Sequence, residues 1–202
     1  MTTIASFRDQ TRRALMTSLA SLSLGAATQV SAGAADGRAR QTGSPILVAY
    51  FSRTGNTRVV AGLIRRALGA DVSEIRPAVP YPEDYLTTVE QARQERDRGV
   101  EPVLEAKVPG IAGYDTVFLG FPIWGETAPP IIRSFLSAHD LSGKTLILFI
   151  THGGYGLGDS QAVIARHAPR AVRRGDFSIQ ADQERQTMDR VNHWLREMPV
   201  LG

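Results

Sequence analysis

The stretch ILVAYFSRTGNTRVVA, residues 46–61, changes character twice within a few positions. Ile46 to Phe51 is an unbroken apolar run of strand length, the mark of a strand covered on both faces. It stops at Ser52, Arg53, Thr54, Gly55, Asn56 and Thr57 and passes directly into a helix-spaced pattern. That pattern places Val59, Val60, Leu63, Ile64, Ala67 and Leu68 on one expected face and closes at Gly69. Backbone N–H groups that leave a strand and open a helix point at whatever lies beyond the helix N-terminus, where the dipole favours an anion. One Ser or Thr is enough for a structural cap. Ser52, Thr54 and Thr57, with Gly55 for the tight path and Asn56 beside it, supply several convergent donors, and each is worth only about 0.3–1 kcal/mol at an exposed site. The stretch reads as a phosphate holder.

Outward from it the chain alternates. A strand around 71–77 follows the first helix, then a polar helix within YPEDYLTTVEQARQERDRG that ends at Gly99. YDTVFLGFP (114–122) is a second strongly apolar strand, and the next helix starts behind Pro129 and Pro130, which a first turn tolerates. KTLILFIT (144–151) is a third buried strand, followed by a helix in GDSQAVIARHAP, a more polar edge strand in VRRGDFSIQ and a closing amphipathic helix. The face expected on that last helix, Met188, Val191, Trp194, Leu195 and Met198, reads as core packing. Strands separated by single helices imply right-handed crossovers and a parallel sheet. The expectation is one three-layer α/β domain over 45–202, with no internal repeat.

Ligands of such sheets bind beyond the carboxyl ends of the strands, where strand order reverses. Three exits share that edge. The first is residues 52–57. The second is Pro122, Ile123, Trp124 and Gly125, continuing to Glu126 and Thr127; a Trp between Pro and Gly at a strand end is well placed to cover a planar ligand. The third is Thr151, His152, Gly153, Gly154, Tyr155 and Gly156, continuing to Asp159. Two nucleotide-like patterns fail on context. AHDLSGKT (138–145) follows a helix and opens a strand, the reverse of a phosphate loop, and GGYGLG has the wrong glycine spacing for a dinucleotide fingerprint.

The three exits together resemble the flavodoxin-like family. VAYFSRTGNTRVVA looks like its phosphate loop, with Tyr50, Ser52, Gly55, Thr57 and Ala61 matching; Ala49 departs, in the strand, where a larger apolar residue is usual. GFPIWGETAPP resembles the loop that passes the isoalloxazine, and THGGYGLGDS the Gly-rich turn whose backbone N–H groups reach the pyrimidine edge. The resemblance, covering about Ile46 to Leu195, implies a five-stranded parallel sheet of order 2-1-3-4-5 and FMN as cofactor. It implies cofactor contacts for Ser52, Arg53, Thr54, Gly55, Asn56 and Thr57, for Pro122, Ile123, Trp124 and Gly125, and for Thr151, His152, Gly153, Gly154, Tyr155 and Gly156. His152 stands where a small hydroxyl residue is common, and three roles stay open for it: tuning the flavin, meeting substrate, or a plain surface histidine. Tyr81, Pro82 and Tyr85 match a further landmark, either bordering the pocket or packing under a loop.

Composition narrows the function classes. The 202 residues contain no cysteine, which excludes disulfides, thiolate catalysis and cysteine-bound metals, and the four histidines lack metal-ligand spacing. Charge is concentrated early: without Arg8, Arg12, Arg13 and Asp9 of the first 35 residues, 20 basic and 19 acidic side chains remain. No basic stripe with interleaved aromatics points to nucleic acid. Arg12 and Arg13 precede a weakly apolar run, Ala14 to Ala27, too short and polar for a permanent membrane span, with small residues near 30–34. Residues 1–35 therefore resemble a twin-arginine export signal leading to the periplasm, and 36–44 a flexible lead-in. A plain N-terminal extension is the alternative.

The expected function is an FMN-dependent redox protein. Its partner is either a small-molecule electron acceptor, such as a quinone, or a redox protein served by one-electron shuttling; a non-redox ligand-binding module is the third class. One-electron carriers of this type are usually acidic, so a near-neutral, Arg-rich body favours the oxidoreductase. Glu126 and His152 are ionisable groups of the ring loops without a sequence-evident partner, and no catalytic base is assigned. Oligomeric state is not specified by these patterns.

Overall fold

A computed structural model describes residues 45–181 and 184–198. The expected export signal and lead-in lie outside the described residues. Strands β1 (Ile46–Tyr50), β2 (Asp71–Glu74), β3 (Thr116–Pro122), β4 (Thr145–His152) and β5 (Val172–Gln180) form one sheet of order β2-β1-β3-β4-β5, with every pair parallel. Helices α1 (Asn56–Leu68), α2 (Tyr85–Asp97), α3 (Pro130–Ala138), α4 (Ser160–His167) and α5 (Glu184–Glu197) make the crossovers and the close. This is the flavodoxin-like α/β arrangement the sequence led us to expect.

The strands alternate their side chains between two cores. Leu47, Ala49, Phe51, Val117, Leu119, Phe121, Leu146, Leu148 and Ile150 face one way, onto Ile131, Ile132 and Phe135 of α3 and Ile164 of α4. Val48, Tyr50, Phe118, Ile147 and Phe149 face the other, onto Val60, Ala61 and Ile64 of α1 and Val191 and Leu195 of α5. With period two along each strand, one register fixes both packings. The sheet is thus sandwiched, α1 against α5 on one face and α3 against both α2 and α4 on the other.

Two helix faces differ from expectation. On α1 the buried stripe is Thr57, Val60, Ala61 and Ile64, while Val59 and Ala67 are exposed. At about 100° per residue, Val59 stands roughly 150° from the middle of that stripe. The apolar count in the sequence had hidden the inward turn of Thr57. On α5 Thr187 is buried and Met188 is half exposed, because Val191 and Met198 set the centre of the face nearer to 187.

β3 carries one glycine whose absence of a side chain is structural. A Cβ on Gly120 would stand 2.0 Å from the ring of Phe149, which lies across it from the neighbouring strand. Gly120→Ala is expected to cost about 1–3 kcal/mol by overpacking, read as a lower urea midpoint. Adding Phe149→Leu should restore part of that loss, and a fully additive double variant would show that the two positions are not in conflict.

Candidate functional site

The carboxyl ends of β1, β3 and β4 open into three loops, and hydrogen bonds sew them together. Phe51 N–H donates to Gly120 O at 2.9 Å and Ile123 N–H to Thr151 O at 2.9 Å, so the strand ladder continues into the loops. The hydroxyls of Thr57, in the first turn of α1, and Thr151, near the end of β4, meet at 2.9 Å in a buried contact that spans β1 and β3. Residues far apart in sequence are thereby held at one edge.

The first loop divides its donors between the protein and open space. Ser52 Oγ accepts the N–H groups of Gly55 (3.1 Å) and Arg58 (3.3 Å), capping α1 from behind. The hydroxyl of Thr57 is taken by Thr151. Arg53 reaches away from the loop and donates to the carbonyl oxygens of Pro82 and Glu83 before α2. What stays open is backbone: among the described residues, the N–H groups of Thr54, Asn56 and Thr57 meet no protein acceptor, and neither does the Thr54 hydroxyl. Gly55, at φ 98, has nothing within 4 Å of where a Cβ would be, and no acidic side chain sits in the first turn of α1. Three unpaired N–H groups around a left-handed glycine at a helix N-terminus fit a phosphate, because the alternative is exposed donors without a partner.

The second loop is a tight reversal. Trp124 N–H donates to Thr127 O (2.9 Å) and Thr127 N–H to Trp124 O (3.3 Å) around Gly125 and Glu126, at φ 55 and 65. Two consecutive positive φ values are the geometry of a type I′ turn, which favours Asn or Gly at both central places. Glu126 is the one non-glycine residue with positive φ among the described residues. Its backbone is held from the third loop: Asp159 N–H donates to Glu126 O at 3.0 Å, and a Cβ on Gly158 would fall 1.7 Å from that same oxygen. Gly158 is therefore required by close backbone approach, and the loops after β3 and β4 form one unit.

Trp124 is half buried. Its ring meets Phe51 (5.2 Å, 80°) and Tyr81 (5.0 Å, 80°) edge to face, which fixes its plane above the end of β1. Tyr81 donates to Glu95 Oε2 at 2.9 Å. Burial first, then the Glu95 charge, pushes the Tyr81 phenol far above its ordinary value, so it stays protonated. In the third loop His152 is half buried and its Nδ1 accepts Gly154 N–H at 3.1 Å. The backbones of Gly153 and Gly156 border open space, and Tyr155 is 92% exposed at the tip.

Beside these loops lies a cavity of 380 Å³, bounded by Arg53 and Thr54 of the first loop, by 122–127 of the second, and by α2. Pro122, Ile123, Trp124 and Gly125 all line it, as does Tyr85, whereas Tyr81 and Pro82 serve as packing and as an acceptor for Arg53 and Thr88. The sequence offered Tyr85 as a pocket-bordering residue, but the rest of α2 read only as a polar helix. The signal was present as Tyr85, Val89, Ala92 and Arg96, spaced along one helical face. Thr127 was also passed over, since only the type I′ turn brings it to the cavity. Among the described residues no cluster of His, Asp or Glu is arranged to hold a metal, and no helix is long and apolar enough to cross a membrane.

A family model described as flavodoxin matches residues 45–198. A candidate flavoprotein from Bacteroides eggerthii is 34% identical, with 77% of this chain and 98% of that one covered and a TM-score of 0.66. Another from Bacteroides uniformis is 30% identical over 77% and 99%, with a TM-score of 0.67. A flavoprotein from Lactobacillus acidophilus, solved in complex with FMN, is 18% identical over 71% and 97%, with a TM-score of 0.60. Among functionally curated proteins none matches this chain.

The strained turn yields two opposite expectations in urea denaturation. Glu126→Gly relieves a positive φ and should raise stability by about 0.5–1 kcal/mol. Gly158→Ala drives a methyl group into a backbone oxygen that cannot rotate away and should lower stability by more than about 2 kcal/mol. Equal effects of the two would contradict the docking of one loop on the other.

Proposed function

This chain belongs to the flavodoxin family, and from that premise we propose that it binds FMN and acts as a small oxidoreductase toward a diffusible acceptor. The observation that carries the reading is the set of unpaired N–H groups of Thr54, Asn56 and Thr57 at the N-terminus of α1, on the same edge as the Trp124 and Gly153–Gly156 loops. Those N–H groups and the Thr54 hydroxyl would hold the phosphate; Ser52 and Thr57 act one layer behind, as cap and cross-tie. Trp124, locked by Phe51 and Tyr81, would bound the ring on one side, and the glycine backbone after β4 would follow its polar edge. When bound, FMN supplies one- or two-electron transfer, and the protein's part is to anchor it, orient it and restrict water. The FMN complex of the Lactobacillus acidophilus relative supports the cofactor assignment.

A near-balanced body of 20 basic and 19 acidic residues lacks the single-sign field that steers protein carriers, which supports a small-molecule acceptor. No side chain at the edge is assigned as a proton donor: Glu126 is exposed, and His152 turns Nδ1 to its own loop. Export through the twin-arginine pair Arg12-Arg13 is part of the proposal, since that route carries folded, cofactor-loaded proteins.

The purified chain is expected to be yellow and to bind FMN at micromolar concentration or tighter, followed by quenching of flavin fluorescence. Ser52→Ala and Thr57→Val should each weaken FMN binding by about tenfold, corresponding to one lost supporting hydrogen bond. Absence of FMN binding by the unaltered chain would overturn the reading. Reduction of a quinone with NADH or NADPH as electron donor then separates enzyme from carrier. A reporter fused behind residues 1–40 should lose export when Arg12 and Arg13 are both replaced by Lys; unchanged export would refute the twin-arginine route.

A further inference from the structure

We propose that His139 is a pH-sensitive latch: its neutral ring pins the connection between α2 and β3 across the end of α3, and its protonation releases that connection.

The connection, residues 98–115, is a long strap largely outside helix and strand. It is sewn to the segment after β2, where Ala78 N–H donates to Val103 O at 2.7 Å and Glu105 N–H to Arg76 O at 2.8 Å. Leu104, Val108 and Ile111 are partly buried against the core on the α3 side of the sheet. From 106 to 110 the strap makes one hydrogen bond to another element among the described residues, from Val108 N–H to His139 Nε2 at 2.9 Å.

His139 directly follows α3 and is only 7% exposed. Its Nδ1 lies 2.7 Å from Phe135 O, and its ring packs on that of Phe135 with centroids 4.4 Å apart. A backbone N–H can only donate and a carbonyl oxygen can only accept. Both contacts are therefore satisfied by one form of the ring, neutral with its proton on Nδ1. A second proton would go to Nε2 and face the Val108 N–H, turning a buried bond into a buried conflict of two donors. Protons have a route to it, because His139 lines an open depression of 580 Å³ between the ends of α3 and α4.

The titratable groups around His139 are Lys107 and Glu101 of the strap, Asp140 after α3, and His167 and Arg170 at the end of α4. Glu101 accepts the Ser137 hydroxyl at 2.8 Å and faces His167 Nε2 at 3.7 Å, while Asp140 accepts the N–H and hydroxyl of Ser142. Among the described residues neither carboxylate pairs with His139. Burial above all holds its pKa below the ordinary histidine value; the Phe135 carbonyl opposes this and Lys107 adds to it. Opening the strap hydrates the ring and restores a value of about 6.5, so opening takes up a proton below that pH. The latch holds fully above about pH 6.5. As pH falls toward the lower native value, the opening constant rises by up to about tenfold per pH unit.

The test is amide hydrogen exchange at Val108, followed by NMR on the full chain and expressed as protection relative to the intrinsic rate, which removes the direct effect of pH on exchange. Protection should fall by about tenfold between about pH 7.5 and 5.5, and the His139 ring should titrate below about 6.5 in the same samples. His139→Gln, whose Oε1 can accept the Val108 N–H and which gains no proton, should keep that protection within about twofold over the same range. His167→Gln should leave the fall intact. Constant protection in the unaltered chain, a ring that titrates at or above the ordinary value, or an equal fall in His139→Gln overturns the latch. A fall abolished by His167→Gln assigns the effect to the Glu101 pair and overturns it too. If His139→Gln fails to fold, the exchange and ring titration of the unaltered chain decide the matter. The inference does not depend on the FMN reading, and the same outcome is expected with or without added FMN.

Discussion

Covering β1, β3 and β4 on both faces is the constraint from which the rest of this protein follows. Their side chains from Leu47 to Ile150 are almost entirely withdrawn from water, and an interior of that kind tolerates no unpaired polar group. Polar chemistry is thus driven to where the strands end. Because the strands are all parallel, the carboxyl ends of the three coincide, and the loops that leave them share one edge. The site is a consequence of the sheet rather than an addition to it.

That edge is stiffened by cross-ties rather than by length of loop. The Thr57–Thr151 hydroxyl pair links the start of α1 to the end of β4, and Glu126 O receives Asp159 N–H while Gly158 presses against it. The second tie holds Glu126 at a positive φ, a strain of order 1 kcal/mol that a glycine there would avoid. The loops after β3 and β4 are pre-formed at this expense. A planar cofactor entering between rigid walls loses less affinity to loop ordering than one that must organise them.

The hydroxyl-rich loop after β1 works differently from its first appearance. Counting Ser52, Thr54 and Thr57 as three donors to one phosphate treats side chains as if they all pointed outward. Ser52 instead caps the helix and Thr57 turns into the sheet, so both create the conditions under which backbone N–H groups stay free. The anion site proposed there is mostly main chain. Arg53, the one cation of the loop, is withdrawn toward α2, where it forms part of the boundary with the neighbouring cavity.

The apolar runs 46–51, 114–122 and 144–151 by themselves determined the buried strands, the alternation with helices, the parallel sheet and the edge on which chemistry collects. Local pattern suffices there, because strand burial and the alternation of strand with helix are read from composition and spacing. The same reading misplaced Val59 and Met188, since a helix face is set by what packs on it and the phase of a short stripe shifts with one inward Thr. It also could not assign the division of labour among the hydroxyls, the need for glycine at 120 and 158, or the part of α2 and Thr127 in a cavity. Those depend on contacts between residues distant in sequence: Phe149 over Gly120, Glu126 O against Gly158, Thr151 on Thr57. Such pairings leave no local periodicity, and only the packed tertiary structure decides them.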